Sequence, residues 1–305
     1  MPMAHPGGAQ MTCPHLFQHY PSAFSHRLVN MKPRLRAQIL TSRFLPVLVF
    51  PVRLRTALLF SGRNSFLSFK WLLSSREFAN YTYDLKPRNR EHLAWFVSSV
   101  TGATIAEIKE YFSEIESDVE FQNYIKARLA MHRRGGEIDK NPFLGWRIGW
   151  YAIVRATKPK ILVETGTEKG MGSLVLAKAA AKNDNQAIVY TLDIEPSSGL
   201  MIGPEYDGRV VRLIGDSVMN LSTLEKIDFF IHDSDHSAEH ELAEFEAILP
   251  RLTNRAICLS DNSHVTTVLS KWSETHGRQF YFFKEEPLDH WYPGAGIGVS
   301  LPSAN

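Results

Sequence analysis

Residues whose types and spacing could do chemistry crowd into the second half of the chain. The run Glu164-Thr-Gly166-Thr167-Glu168-Lys169-Gly170-Met-Gly172 follows a short apolar stretch and precedes a helical one. Glycines there permit a tight strand-to-helix turn and close approach of a nucleotide-like ligand. Charge then separates the ligands. A dinucleotide sets its pyrophosphate on a helix N-terminus, where Glu164 and Glu168 would repel it, although Lys169 offsets part of this. The spacing is also G-x-x-x-G-x-G rather than G-x-G-x-x-G. A phosphate-free sulfonium nucleoside, S-adenosylmethionine, gains from the same carboxylates. Asp193, closing Tyr190-Thr-Leu-Asp193, suits ribose hydroxyls. Asp216 and Ser217, in Ile214-Gly215-Asp216-Ser217, suit an adenine amino group. Taken singly, either aspartate could be a turn or helix-cap residue. Three acids at the ends of three successive strands fit better with a ligand lying along that edge.

Two more polar runs close apolar stretches: Phe230-Ile-His232-Asp233-Ser-Asp235-His236 and Leu259-Ser-Asp261-Asn262-Ser-His264. The segment His236-Ser-Ala-Glu239-His240 fits H-x-x-E-H, with both histidines on one helical face. That is the sign of a zinc hydrolase. Five residues are a short match, and the glycine turn and Asp193 do not follow from it. His240 and Glu241 otherwise carry no role and are expected to face solvent or their own helix. The aromatic loop His290-Trp291-Tyr292 could roof a substrate pocket or simply pack.

The elements that must position these residues follow from periodicity. Apolar runs at 160–164, 187–193, 210–214, 227–232 and 256–260 alternate with helical patterns at 173–182, 239–249 and 265–276. Strands alternating with helices predict a parallel sheet covered on both faces. The last two runs, 279–283 and 296–300, lack an intervening helix and predict an antiparallel edge. Upstream, Asn89 and Thr104 are expected to cap two helices, with Glu107 completing a capping box after Thr104. Further helices are expected near 120–132, ending at Arg133-Arg134-Gly135-Gly136, and at 146–156. Together they read as a helical cap or lid.

Composition narrows the setting. Two cysteines, Cys13 and Cys258, are too few for a disulfide framework and point to a reduced, cytoplasmic protein. The net charge of +2 hides a split: the first acid is Glu77, and residues 1–76 carry ten cations. That basic arm, residues 1–79, is expected to be poorly ordered and could touch a membrane surface or serve as a transit peptide. Its apolar run 44–60 is broken by Pro46, Pro51, Arg53 and Arg55, which is wrong for a spanning helix. The rest of the chain is acidic, which argues against a nucleic-acid partner.

The E-x-G-x-x-x-G turn, the acid after strand two and the Gly-Asp after strand three resemble class I S-adenosylmethionine-dependent methyltransferases. More narrowly, the span from Tyr83-Asp-Leu to His290-Trp-Tyr-Pro-Gly-Ala-Gly-Ile-Gly resembles mostly bacterial members that carry a helical N-terminal segment. The resemblance implies an α/β, Rossmann-like seven-stranded sheet with an antiparallel last strand. It places the methyltransferase domain at 158–305 behind a helical cap at 80–157. The cofactor residues it implies are Glu164, Gly166, Thr167, Gly170, Asp193, Asp216, Ser217 and Asp233. An Asp after strand four with Asp-Asn after strand five is similar to the magnesium pattern of catechol and caffeoyl-coenzyme A O-methyltransferases. By position, Asp233, Asp261 and Asn262 would be the metal ligands. Those enzymes use a lysine base where this chain has His236. Histidine is apt near neutral pH, with Asp235 and His264 as further candidates. The expected reaction is O-methylation of a small-molecule, sugar or lipid-linked acceptor by a chain that could form a homo-oligomer. A catalytically silent cofactor-binding module is the alternative.

Overall fold

The computed structural model describes residues 32–77, 82–132, 136–139, 143–183 and 186–303. The chain divides into two compact units, Met1–Phe66 and Leu67–Asn305. In the first lie helices α1 (Pro33–Thr41), α2 (Leu45–Leu48) and most of α3 (Phe50–Ser74). The sequence suggests a poorly ordered extension here, yet the described part is largely helical. Helical hydrogen bonds are satisfied within the segment and need no partner; α3 has no buried residue at all. Cys13 and the cations before Lys32 lie outside the described residues.

The second unit opens with four helices: α4 (Pro87–Thr101), α5 (Ile105–Glu116), α6 (Val119–Met131) and α7 (Arg147–Thr157). Thr104 caps α5 with the expected capping box, Oγ1 accepting from the Glu107 amide and Glu107 accepting from the Thr104 amide. Asn89 is no cap. Helix α4 starts at Pro87, which needs no amide partner in the first turn. Asn89 is buried, and its side-chain amide pairs with the Lys284 carbonyl and the Glu286 amide. The expected α6 terminus at 133–135 lies outside the described residues.

Seven strands then form one sheet in the order β3-β2-β1-β4-β5-β7-β6. They are β1 (Ile161–Thr165), β2 (Ile188–Asp193), β3 (Val210–Ile214), β4 (Ile227–His232), β5 (Leu252–Ser260), β6 (Arg278–Lys284) and β7 (Gly296–Pro302). Strands β1 to β5 pair in parallel, and β7 runs antiparallel to both β5 and β6. Helices α8 (Met171–Lys182), α9 (Ser217–Leu221), α10 (Ala238–Ile248) and α11 (Val268–Thr275) complete the unit. The helix expected from residue 265 begins three residues later, because Asp261–His264 first makes a 3₁₀ turn.

Burial on both faces explains the unbroken apolar strands. Leu162, Phe229 and Ile231 face the cluster that also holds Phe112, Ile153 and Leu174. Val163 and Phe230 point the other way, onto Phe245, Ile248 and Trp272. The alternation follows the two-residue strand period. One hydrophobic cluster thus joins the helices of 87–157 to the sheet.

The same order brings the carboxyl ends of β1, β2 and β4 together. Gly166 closes β1 with φ of 86°, and an added Cβ would lie 1.8 Å from the Asp233 carbonyl oxygen. Glycine is demanded here by the neighbouring turn, which has no room to give. Gly166→Ala is expected to cost at least about 2 kcal/mol, from backbone strain plus overlap. Chemical denaturation of the variant measures it, and an unchanged midpoint would contradict the packing described.

Candidate active site

The turn after β1 is built from the backbone outward. The amides of Gly166 and Thr167 donate to the Leu192 carbonyl, tying the turn to the end of β2. Glu168 takes a left-handed conformation with φ of 46°. Its amide donates to Asp193 Oδ2 at 2.8 Å, while the Glu195 amide donates to Oδ1. Asp193 is therefore held rigidly at the end of β2 with lone pairs to spare. Gly170 starts α8 in a left-handed conformation and packs on Ile202; Thr167 Oγ1 bonds Thr191 Oγ1. The two glycines thus serve chain packing as well as ligand approach.

A cavity of about 430 Å³ opens along this edge. Gly166, Asp193, Asp216, Ser217, Asp233 and Asp235 line it, as do Glu168, Ile194, Gly215, Ser234 and His240. Glu164, Thr167 and Gly170 do not. Glu164 lies beneath, accepting hydrogen bonds from Ser173 and Thr191, and burial pushes its carboxyl up to about 7. Asp216 caps α9, its Oδ1 accepting from the Met219 amide. Only its other oxygen and its backbone remain for a ligand.

The reaction-centre residues converge from two strand ends. Ligand atoms of Asp233, His236 and Asp261 lie within 4.8 Å of one another. Burial raises the carboxyls of Asp233 and Asp261 above the usual range, and in Asp233 the charge of Asp261 adds to it. Asp261 Oδ1 and Asn262 Oδ1 are buried without hydrogen-bond partners. Orphaned buried oxygens beside two crowded carboxylates fit a hard divalent cation. Asp235 is exposed and accepts from the Ser237 amide, which holds it below the usual carboxylate range and makes it a weak base. His264 sits beside the cluster, Nδ1 donating to the Asp261 carbonyl at 2.8 Å.

His240 is half-buried and turns to its own helix, as expected, whereas Glu241 does not face solvent. Glu241 is fully buried and accepts from Ser260 and Thr266. His240 Nε2 lies 2.9 Å from Glu244 Oε1 and 3.0 Å from Ser217 Oγ. With Glu239 exposed and His240 so engaged, the H-x-x-E-H residues do not converge on one point.

Several site residues carry no sequence signal of their own. Glu244 is fully buried and accepts from Thr165, His232, Ser217, Ser234 and His240. Burial opposes its ionisation, but His232 and the hydroxyls outweigh that and hold it near 2. His232 Nδ1 donates to Glu244, so its Nε2 accepts from Asn262 Nδ2 at 2.9 Å, leaving the Asn262 oxygen turned away. Arg147, opening α7, stacks on Trp146 at 4.4 Å and bears electrostatically on Glu164, Asp233, Asp261 and Glu285. A cation in the first turn of a helix opposes the macrodipole, and that mismatch was the available clue. Glu285, pushed up to about 8 by burial and by the Asp261 charge, accepts from the Tyr83 hydroxyl.

Residues 163–263 match the family model of a methyltransferase domain. Over that segment the chain matches a methyltransferase domain, and the fold is that of the class I methyltransferases. Its sheet order and reversed β7 are those expected of that class. Solved structures similar to it include the O-methyltransferase TomG from Streptomyces achromogenes, involved in tomaymycin synthesis and in complex with SAM. It is 15% identical, with a TM-score of 0.46, over 64% of this chain and 95% of that one. The SAH-bound methyltransferase PaMTH1 from Podospora anserina is 14% identical, with a TM-score of 0.42, over 72% and 97%. A methyltransferase from Geobacter sulfurreducens is 17% identical, with a TM-score of 0.42, over 60% and 89%. No curated protein matches the sequence.

Glu244 is held below its ordinary value of 4.5, so its stabilisation is complete above that pH and is lost as pH falls toward about 2. Glu244→Gln is expected to cost about 3 kcal/mol at pH 7. It should also flatten the acid limb of a stability-versus-pH curve between about pH 4.5 and 2, as denaturant titrations would show.

Proposed function

We propose that this domain transfers a methyl group from S-adenosylmethionine to a hydroxyl of a small-molecule, sugar or lipid-linked acceptor, in a cytoplasmic setting. The observation that carries the reading is the cavity where Gly166, Asp193, Asp216 and Asp233 meet, within the segment that matches the methyltransferase family. The bound cofactor supplies an electrophilic methyl on its sulfonium. The chain does the rest. Asp193, fixed by two backbone amides, receives the ribose hydroxyls. Asp216 and Ser217, which line the same cavity, would meet the adenine. Glu168 and Asp193 set carboxylates in the cavity wall, a lining that favours a cationic nucleoside over a pyrophosphate.

His236 is proposed to take the acceptor proton, its ring nitrogen standing close to Asp233 and Asp261. Asp233, Asp261 and Asn262 would hold a magnesium ion, which supplies charge to acidify and orient a hydroxyl. The Glu244–His232–Asn262 relay aims the Asn262 oxygen, and Arg147 offsets the surplus negative charge. The 4.8 Å cluster favours a second reading of the same residues, in which His236 is itself a ligand. An ion that accepts nitrogen, such as manganese, would then serve better than magnesium.

Titration calorimetry is expected to show S-adenosylhomocysteine binding and no NAD binding, with Asp193→Ala weakening the former about tenfold or more. NAD occupying the cavity would overturn the reading. Transfer of labelled methyl to a hydroxyl panel is expected to fall with chelator and with Asp261→Ala. Activity indifferent to both removes the metal. Restoration by manganese but not magnesium selects His236 as ligand. Cofactor binding without turnover of any acceptor would leave a silent module.

A further inference from the structure

Helix α3 exposes what a water-facing helix ordinarily hides. Phe50, Leu54, Leu58, Leu59, Phe60, Phe66, Phe69, Leu72 and Leu73 are each at least 45% exposed, and nothing in the helix is buried. Just before it, Phe44 and Val47 are 60% and 71% exposed. An apolar display of this extent marks a surface that something covers. Charge says what. Arg53, Arg55, Arg63 and Lys70 project from the same helix, and the chain has no acid before Glu77.

We propose that α3 docks the protein on an anionic lipid surface, lying in the headgroup region. These cations meet lipid phosphates, and the aromatic and aliphatic side chains enter the acyl boundary. The apolar groups surround the helix axis rather than forming a stripe, so the helix sinks between headgroups while arginine and lysine stems reach outward. It does not cross: among the described residues no helix is long and apolar enough. A second copy of this chain fits less well, because two such helices would set like charges together with no acid to relieve them. Nucleic acid would meet the cations but leave the phenylalanines and leucines in water. The inference is independent of the reaction proposed above.

Co-flotation of the full chain with vesicles tests it. Binding is expected to phosphatidylcholine vesicles containing phosphatidylglycerol, and to be about tenfold weaker or more on pure phosphatidylcholine and at high salt. Arg53→Glu with Arg55→Glu should cost a comparable factor, and Leu58→Ser with Leu59→Ser should also release the protein. All four positions are exposed, so the thermal transition should stay in place and serves as the folding control. No flotation with either vesicle overturns the inference, as does equal flotation with both. A concentration-dependent dimer abolished by the leucine substitutions overturns it in favour of self-association. Tighter binding to duplex nucleic acid than to vesicles also overturns it.

Discussion

Glu244 is a carboxylate cut off from water that gathers donors from several elements at once. Thr165 comes from the end of β1, His232 from the end of β4, Ser234 from the turn beyond it, Ser217 from α9 and His240 from α10 itself. A buried ionised group is tolerable only when its lone pairs are all met. That requirement fixes where the strand ends stand relative to one another, and so fixes the mouth of the cavity along that edge. It also passes through His232 to Asn262, so the orientation of the Asn262 side chain depends on a carboxylate that never touches it.

A second set of charges works across the floor and roof of the site. Asp261 and Glu285 are buried and Asp233 half-buried beside them, and each is pushed toward its neutral form. Arg147 opposes that from the start of α7, pinned by its stacking on Trp146. Tyr83 caps Glu285 and packs against Trp146, His290 and Tyr292. The helical segment thus supplies both the counter-charge and part of the aromatic roof. It borders the Asp233–Asp261 cluster as well as the core it buries.

Much of the architecture was legible before any coordinates. Each of the seven strands was visible as an apolar run; burial on both faces excludes polar residues from most of β1 and β4, whereas the edge strands β3 and β6 are partly exposed and admit them. The capping box at Thr104 was visible because it is a contract between residues three apart. Asn89 misled for the same reason. Its type suits a cap, but the Pro87 start took that role and left Asn89 to bind the segment after β6, nearly two hundred residues away. Helix α3 was missed because its apolar residues follow no face, and the local hydrogen bonds that form it leave no pattern in side-chain type.

The sequence by itself determined the parallel sheet with acids at its strand ends. Those properties follow from periodicity and charge within short windows. Only the tertiary structure decided which acids line the cavity, that Glu164 lies beneath it, and that Asp216 spends one oxygen on a helix cap. It alone brought together Arg147, Glu285 and Tyr83, the last two 202 residues apart. No local pattern records such a meeting, since it depends on how the helical segment and the sheet close around one shared core.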